Sequence, residues 1–333
     1  MKIILDAMSG DLGPRPVVEA AAKVVAERHV EILLVGQTAA IEQAITELGV
    51  SRDGLTIKEA SDILTMEDDP TSAIRSKKDS SMVVALRALA DGEGDALVSS
   101  GNTGALLTGA TLIVKRLPGV RRGAIGTVIP TGNGRSLLID SGANAECTPE
   151  YLLQFAHMGS AYMAGTQGID NPRVGLLNNG TEEHKGASLQ KETHQLLKVE
   201  KGINFIGNVE GRDIASGGAD VFVCDGFTGN LVLKTYEGVG LYFSKVLKTM
   251  FKRNILTMLA ALLFKKDIRE LKSRMDYREV GGAPILGVQK PVIKAHGSSD
   301  ARAFETAMGQ AIRFHESGAV AKMAQALAPS TEK

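Results

Sequence analysis

The sequence predicts an α/β fold with a mostly parallel sheet between layers of helix. Short apolar runs alternate with helical periodicity from end to end of the 333 residues, the pattern of strand–helix units. Glycine is in excess, at 37 residues, above the usual ~7%, while aromatics are scarce. Many glycines with few aromatics suggest many tight strand-to-helix turns.

The elements follow in order. The opening Met1-Lys2-Ile3-Ile4-Leu5-Asp6 has a three-residue apolar core ended by Asp, so 2–6 reads as a strand and not as a signal peptide. Comparable apolar runs place strands at 31–35, 55–59, 96–99, 124–129 and 136–140, then at 173–177, 203–206, 220–224 and 292–295. Helical periodicity between them places helices at 14–27, 39–48, 80–90, 103–115 and 149–165, then at 186–200, 230–248 and 300–316. No solenoid repeat interrupts this rhythm, and no linker divides it, so one domain over 1–333 is expected.

Composition narrows the function. Lys+Arg and Asp+Glu are both 38, so the formal net charge is zero and a dedicated nucleic-acid binder is disfavoured. Two cysteines, Cys147 and Cys224, make no disulfide framework and no Cys-x-x-Cys metal pair, so a reducing, cytosolic setting is expected. No apolar run approaches the roughly 18 residues of a membrane span.

Chemistry is expected where strands end, since ligands of open α/β sheets bind beyond the carboxyl ends. Five polar, glycine-rich segments sit there: 6–11, 99–105, 140–144, 178–186 and 224–230. Glycines permit positive φ and let backbone N–H groups approach an anion, with the positive end of the next helix adding to the attraction. Any one such loop is more often a plain turn and cap. Five on one edge of one sheet favour a site. Ser100, Gly101, Asn102, Thr103 and Gly104 form the best phosphate cradle. The dinucleotide fingerprint and the Walker lysine pattern are both absent.

Individual side chains remain ambiguous. Lys185 stands at an expected helix start, against the dipole, which suits a bound anion as well as a solvated lysine. Asn230 opens a helix, as an N-cap or as a donor to a carbonyl oxygen, and spacing favours the cap. Lys294-Ala295-His296-Gly297-Ser298-Ser299-Asp300 follows a strand and suits binding an anion or positioning a carboxylate, while a lone histidine such as His296 is more often structural. Neither cysteine has the neighbours of a nucleophile. His184 beside Glu182 and Glu183 does not define a metal geometry, and neither metal nor cofactor is expected.

One stretch breaks the pattern. Residues 245–274 carry nine basic side chains against two acids, a local charge of +7. Residues 255–264 within it are apolar except Thr257, and as a helix they reach about 15 Å, half of a ~30 Å hydrocarbon core. Such a helical hairpin suits a membrane interface, with Leu256, Leu259, Leu263 and Phe264 inserted and Lys252, Arg253, Lys265 and Lys266 near anionic headgroups. It equally suits packing on the core or on a second subunit, or docking of an acidic protein.

Longer motifs carry a resemblance. Asp-Gly-Phe-Thr-Gly-Asn at 225–230 and Gly-Asn-Val-Glu-Gly-Arg-Asp at 207–213 are far more specific than a lone glycine pattern. With 6–11, 69–81, 100–105, 140–144, 149–155, 175–186, 281–287 and 294–302 they occur in family order over nearly the whole chain. The chain resembles the bacterial phosphate acyltransferases of phospholipid synthesis, which convert acyl-[acyl carrier protein] and inorganic phosphate to acyl phosphate. The resemblance implies Rossmann-like α/β/α layers, similar to the isocitrate and isopropylmalate dehydrogenases and the phosphotransacetylases, with a helical hairpin extension. It implies Lys185 and Asn230 as catalytic residues. Phosphate and substrate contacts are expected from the Ser100–Gly104 residues with Asp6, Asn144, Asp225 and His296. A homodimer is implied, with peripheral contact to an anionic membrane and the downstream glycerol-3-phosphate acyltransferase as neighbour. A phosphotransacetylase using coenzyme A, a hydroxyacid dehydrogenase and a non-enzymatic anion-binding protein are the competing readings.

Overall fold

The computed structural model describes residues 1–254, 257–258, 264 and 281–328. The first half runs β1 (Lys2–Asp6), α1 (Pro14–Arg28), β2 (Glu31–Gly36), α2 (Thr38–Leu48), β3 (Leu55–Glu59), α3 (Pro70–Ser76), α4 (Ser81–Ala90), β4 (Ala96–Ser99) and α5 (Thr103–Gly109). Helix α5 continues into π-helical turns at Ala110–Lys115. Next come β5 (Ala124–Thr131), β6 (Gly134–Ile139), α6 (Pro149–Thr166), β7 (Arg173–Asn178), α7 (Ser188–Val199), β8 (Asn204–Glu210), α8 (Gly211–Ser216), β9 (Val221–Val223) and α9 (Gly226–Phe251). The chain closes with β10 (Ala283–Leu286), β11 (Val292–Lys294), α10 (Ala301–Glu316) and α11 (Ala319–Ala326).

The strands form one 11-stranded sheet, ordered β3-β2-β1-β4-β11-β10-β5-β6-β9-β7-β8. Burial follows the period of two. Ile3 and Leu5 join one core with α1, α6 and α10 residues such as Val17, Phe155 and Phe304. Ile4 points the other way, into a core with Val83, Leu86 and Leu106 of α4 and α5. A third cluster, around Leu138, Val209 and Phe222, receives Val232, Leu233 and Tyr236 of α9. Strands covered on both faces carry continuous apolar runs, which is why β4 is buried at every position.

The predicted strands are all present, and β10 is additional. Its four residues include Pro284, which weakens any strand reading of the sequence. Helices α3, α8 and α11, of 7, 6 and 8 residues, are too short for their periodicity to stand out. Helix α9 begins at Gly226, a turn before the expected start. Most of the predicted hairpin at 245–274 lies outside the described residues.

Strand direction corrects one expectation. β1, β2, β3, β4 and β11 run parallel, and β6, β7, β8 and β9 run parallel among themselves. Between these halves β10 pairs antiparallel with both β11 and β5, and β5 pairs antiparallel with β6. Three reversals set the halves in opposite directions, so the five polar segments do not share one edge. The carboxyl ends of β1, β4 and β11 face one way, and those of β6, β7 and β9 the other. The short seam strands bring the two sets within reach at β5. There Ile125 is level with Ile285 of β10, and β5 is joined to β10 only through Ala124 and Ile125. Its pairing with β6 continues from Gly126 to Thr131. Among the described residues the other edge of that stretch has no strand partner.

Candidate active site

The first turn of α9 is seated by glycines. A side chain at Gly229 would put its Cβ 1.9 Å from the Asp140 carbonyl oxygen, and one at Gly226 would lie 2.7 Å from the Asn144 carbonyl oxygen. Only glycine lets the helix come so close. Asp225 is the N-cap: its carboxylate accepts from the Thr228 N–H and the Thr228 hydroxyl, each at 2.8 Å. The loop beneath is braced by Asp140, which accepts from the backbone N–H groups of Ile125, Gly142, Ala143 and Asn144. The Asn144 amide adds a fifth bond to Asp140 at 2.9 Å and another to the Gly123 carbonyl. This packing delivers Asn230, exposed, to the mouth of a cavity beside Gly142.

The opposite wall comes from the ends of β1, β4 and β11. Asp6 is buried and accepts from the Ser99 hydroxyl at 2.7 Å. Lys294, partly buried, donates to the Ser100 carbonyl at 3.2 Å and to the Ala295 carbonyl. Desolvation is the larger influence on its ammonium and lowers it from 10.5 to about 8, against the raising fields of Asp11 and Asp6. The Asp11 N–H donates to the Gly297 carbonyl at 2.9 Å, closing the loop after β1 over this wall.

Between the walls lies a cavity of about 520 Å³. Asp11, Thr103, Lys294 and His296 line it on one side, and Ser141, Asn230 and Lys234 on the other. An apolar strip continues along β5 and α9 through Val128, Ile129, Pro130, Leu233 and Tyr236. The cavity exists because β5 outruns β10. A cation, amide groups and an apolar trough in one space suit a substrate that is anionic at one end and hydrocarbon at the other.

Residues 1–322 match the model of the family described as fatty acid synthesis protein. The chain belongs to this family. It is 47% identical to a phosphate acyltransferase of Acetivibrio thermocellus, over 98% of this chain and 96% of that one. It is 44% identical to phosphate acyltransferases of Clostridium perfringens, over 98% and 96%, and of Caldicellulosiruptor bescii, over all of both chains. Among solved structures, a phosphotransacetylase from Streptococcus pyogenes superposes with TM-score 0.64 at 18% identity, over 99% of this chain and 94% of that one. A 4-hydroxythreonine-4-phosphate dehydrogenase from Klebsiella pneumoniae gives 0.56 at 11%, over 95% and 99%. The resemblance carried by the motifs is borne out, and so is the layered, mostly parallel α/β fold.

Within this member of the fatty acid synthesis protein family, Thr103, Asn230 and His296 line the cavity, and the other predicted site residues among the described ones do not. Asn230 is not the N-cap that spacing favoured; Asp225 holds that place, because its carboxylate reaches the exposed amides three residues on. Asp225 and Asn144 spend their polar atoms on the scaffold just described. In the predicted phosphate cradle the two glycines are placed by packing. Neither Gly101 nor Gly104 has positive φ. A Cβ at Gly101 would meet Met82 at 2.4 Å and one at Gly104 would meet Pro70 at 2.8 Å. Asn102 caps α5 by accepting from the Ala105 N–H, and Ser100 is buried beside Gly10.

Lys185 lies three residues before α7 rather than at its start, on an exposed turn where Gly186 has φ +91°. Asn178 holds this turn by donating to the Lys185 carbonyl at 3.2 Å. Lys252 and Arg253 are exposed just past α9, while Leu256, Leu259, Leu263, Lys265 and Lys266 lie outside the described residues. Sequence reasoning placed Lys294 in a segment suited to an anion without giving it a role of its own, and missed Lys234 and Tyr236. The two cysteines are free, and desolvation pushes the Cys147 thiol up to about 12, which keeps it out of nucleophilic chemistry.

Proposed function

We propose that this chain transfers an acyl group from acyl carrier protein to inorganic phosphate, releasing acyl phosphate and free carrier. The observation that carries the reading is the cavity, polar where β11 ends and apolar along β5, in a chain related over its whole length to phosphate acyltransferases. An oxygen of hydrogen phosphate attacks the thioester carbonyl. The carbon–oxygen bond forms, the carbon–sulfur bond breaks, and the phosphate proton passes to the departing sulfur. Asn230 donates to the developing oxyanion. Lys185 supplies positive charge from its exposed turn to the anionic substrates. No enzyme nucleophile enters the scheme.

The finer partners belong to the same proposal. The chain forms a homodimer and touches an anionic membrane through the segment 245–274, close to the glycerol-3-phosphate acyltransferase that consumes its product. Exposed Tyr242, Phe243 and Met250 on α9, with Lys252 and Arg253 beyond them, support such contacts. Among the described residues no helix is long and apolar enough to cross a membrane.

The deciding experiment follows carrier thiol release from palmitoyl-[acyl carrier protein] by the purified protein. Release that requires phosphate and yields a hydroxylamine-reactive product is expected. Release from acyl-coenzyme A alone would move the chain to phosphotransacetylase chemistry, and silence with both would leave an anion-binding protein. Vesicles of anionic lipid should retain the wild-type chain and lose Leu259→Glu/Leu263→Glu.

A further inference from the structure

We propose that Lys294 is a catalytic residue, the cation that holds the phosphate dianion inside the cavity, with β11 and the loop after β1 as the walls of its subsite. The inference rests on the acyl-transfer reading and names the group that receives its inorganic co-substrate.

Geometry carries the argument. Lys294 ends β11 and lines the cavity with Thr103 and His296, across from Asn230. An ammonium has three donors. Two go to the carbonyls of Ser100 and Ala295, which fix the side chain against the 99–105 turn and leave one N–H for an acceptor in the cavity. Tethered by two neutral carbonyls, and with no carboxylate at bonding distance among the described residues, the lysine keeps its charge available. The charged and titratable groups around it are Asp6 of β1, Asp11 of the following loop, Lys234, Tyr236 and Glu237 of α9, and His296 beside it. Asp6 is taken up by Ser99, and on the α9 wall of the cavity Lys234 bonds Glu237 at 3.3 Å. Burial disfavours the isolated ammonium and brings it to about 8, a cost that a bound dianion relieves. Lys185, on its exposed turn outside the cavity, does not meet these conditions.

A phosphoryl group can reach Lys294 from two sources, inorganic phosphate or the phosphodiester of the carrier's prosthetic arm. The proposal commits to the first. The test uses the full chain with Lys294→Met and Lys294→Arg. It reads the Michaelis constants for phosphate and for acyl carrier separately, and the thermal midpoint with and without phosphate.

Lys294→Met should raise KM for phosphate roughly 10- to 100-fold, the effect of one charged hydrogen bond, and leave KM for the carrier unchanged. It should also lose the thermal stabilisation by phosphate. Wild-type phosphate affinity should fall as pH passes about 8, where the ammonium deprotonates, and Lys294→Arg should hold its affinity through that range. An unchanged phosphate KM, or a rise confined to the carrier, overturns the proposal. If Lys294→Met does not fold, the alkaline limb of the arginine variant decides alone: a limb left where the wild type has it overturns the assignment. Wild-type protein that is stabilised by phosphate through Lys294 yet transfers no acyl group would retain this subsite and refute the acyl-transfer reading.

Discussion

At the scale of single residues, Gly229 and Asn230 are neighbours with opposite demands. Gly229 is fixed by space, since any Cβ would fall 1.9 Å from the Asp140 carbonyl oxygen. Gly229→Ala must push α9 off the 140–144 loop. Overpacking of this kind costs about 1–3 kcal/mol and sometimes more, so a lower urea midpoint is expected, together with loss of activity as Asn230 is displaced. Asn230 itself is exposed, so Asn230→Ala should leave that midpoint unchanged while lowering kcat about 10²- to 10³-fold in the carrier thiol assay. The pair was legible in sequence as part of one specific motif. Its division of labour was not, because the contact that demands glycine comes from a loop more than eighty residues away. Lys294 was legible only as the start of a segment suited to an anion; its own role was not, because a lysine reads as solvated until the loops after β1 and β4 close around it.

Elements succeed or fail in the sequence according to how much local information they hold. The long amphipathic helices and the apolar strands declared themselves. Helix α3 did not, and it is held at its ends instead. Asp69 caps it by accepting from the Ser72 N–H, and Lys77 donates to Asp68 at 2.8 Å and to the Ile63 carbonyl. The Lys77 hydrogen bond holds the Asp68 carboxyl at about 2, below its ordinary 3.8. A carboxyl depressed on folding stabilises the fold above its unfolded value and loses that contribution as pH falls through the folded one. Unfolding curves between pH 4 and 2 should therefore be steeper for the wild type than for Asp68→Asn. Strand β10 failed for a different reason. Its four residues become a strand only between β11, which follows after five residues, and β5, which lies far away in the chain.

For the whole molecule, alternation of strand and helix correctly indicated layers but not direction. Parallel units are the natural reading of such a pattern. Two of the reversals are local, β5 with β6 across residues 132–133 and β10 with β11 across 287–291, and the third pairs β10 with the distant β5; together they decide which loops can share a site. Surface chemistry adds a second property at this scale. Helix α9 runs for 26 residues with only Gly226 and Gly229 buried, and Leu241, Tyr242 and Phe243 are each more than half exposed. An apolar surface of this kind marks an interaction site. Leu241→Glu/Phe243→Glu should shift sedimentation equilibrium of the proposed dimer toward monomer. The gap beside β5 also bears on solubility. An open strand edge invites a foreign strand to add to the sheet. Pro130 offers no N–H there, and its carbonyl already accepts from the Tyr236 hydroxyl at 2.6 Å. The opening beside β5, wide enough to leave an apolar trough, thus resists growth of the sheet into an aggregate.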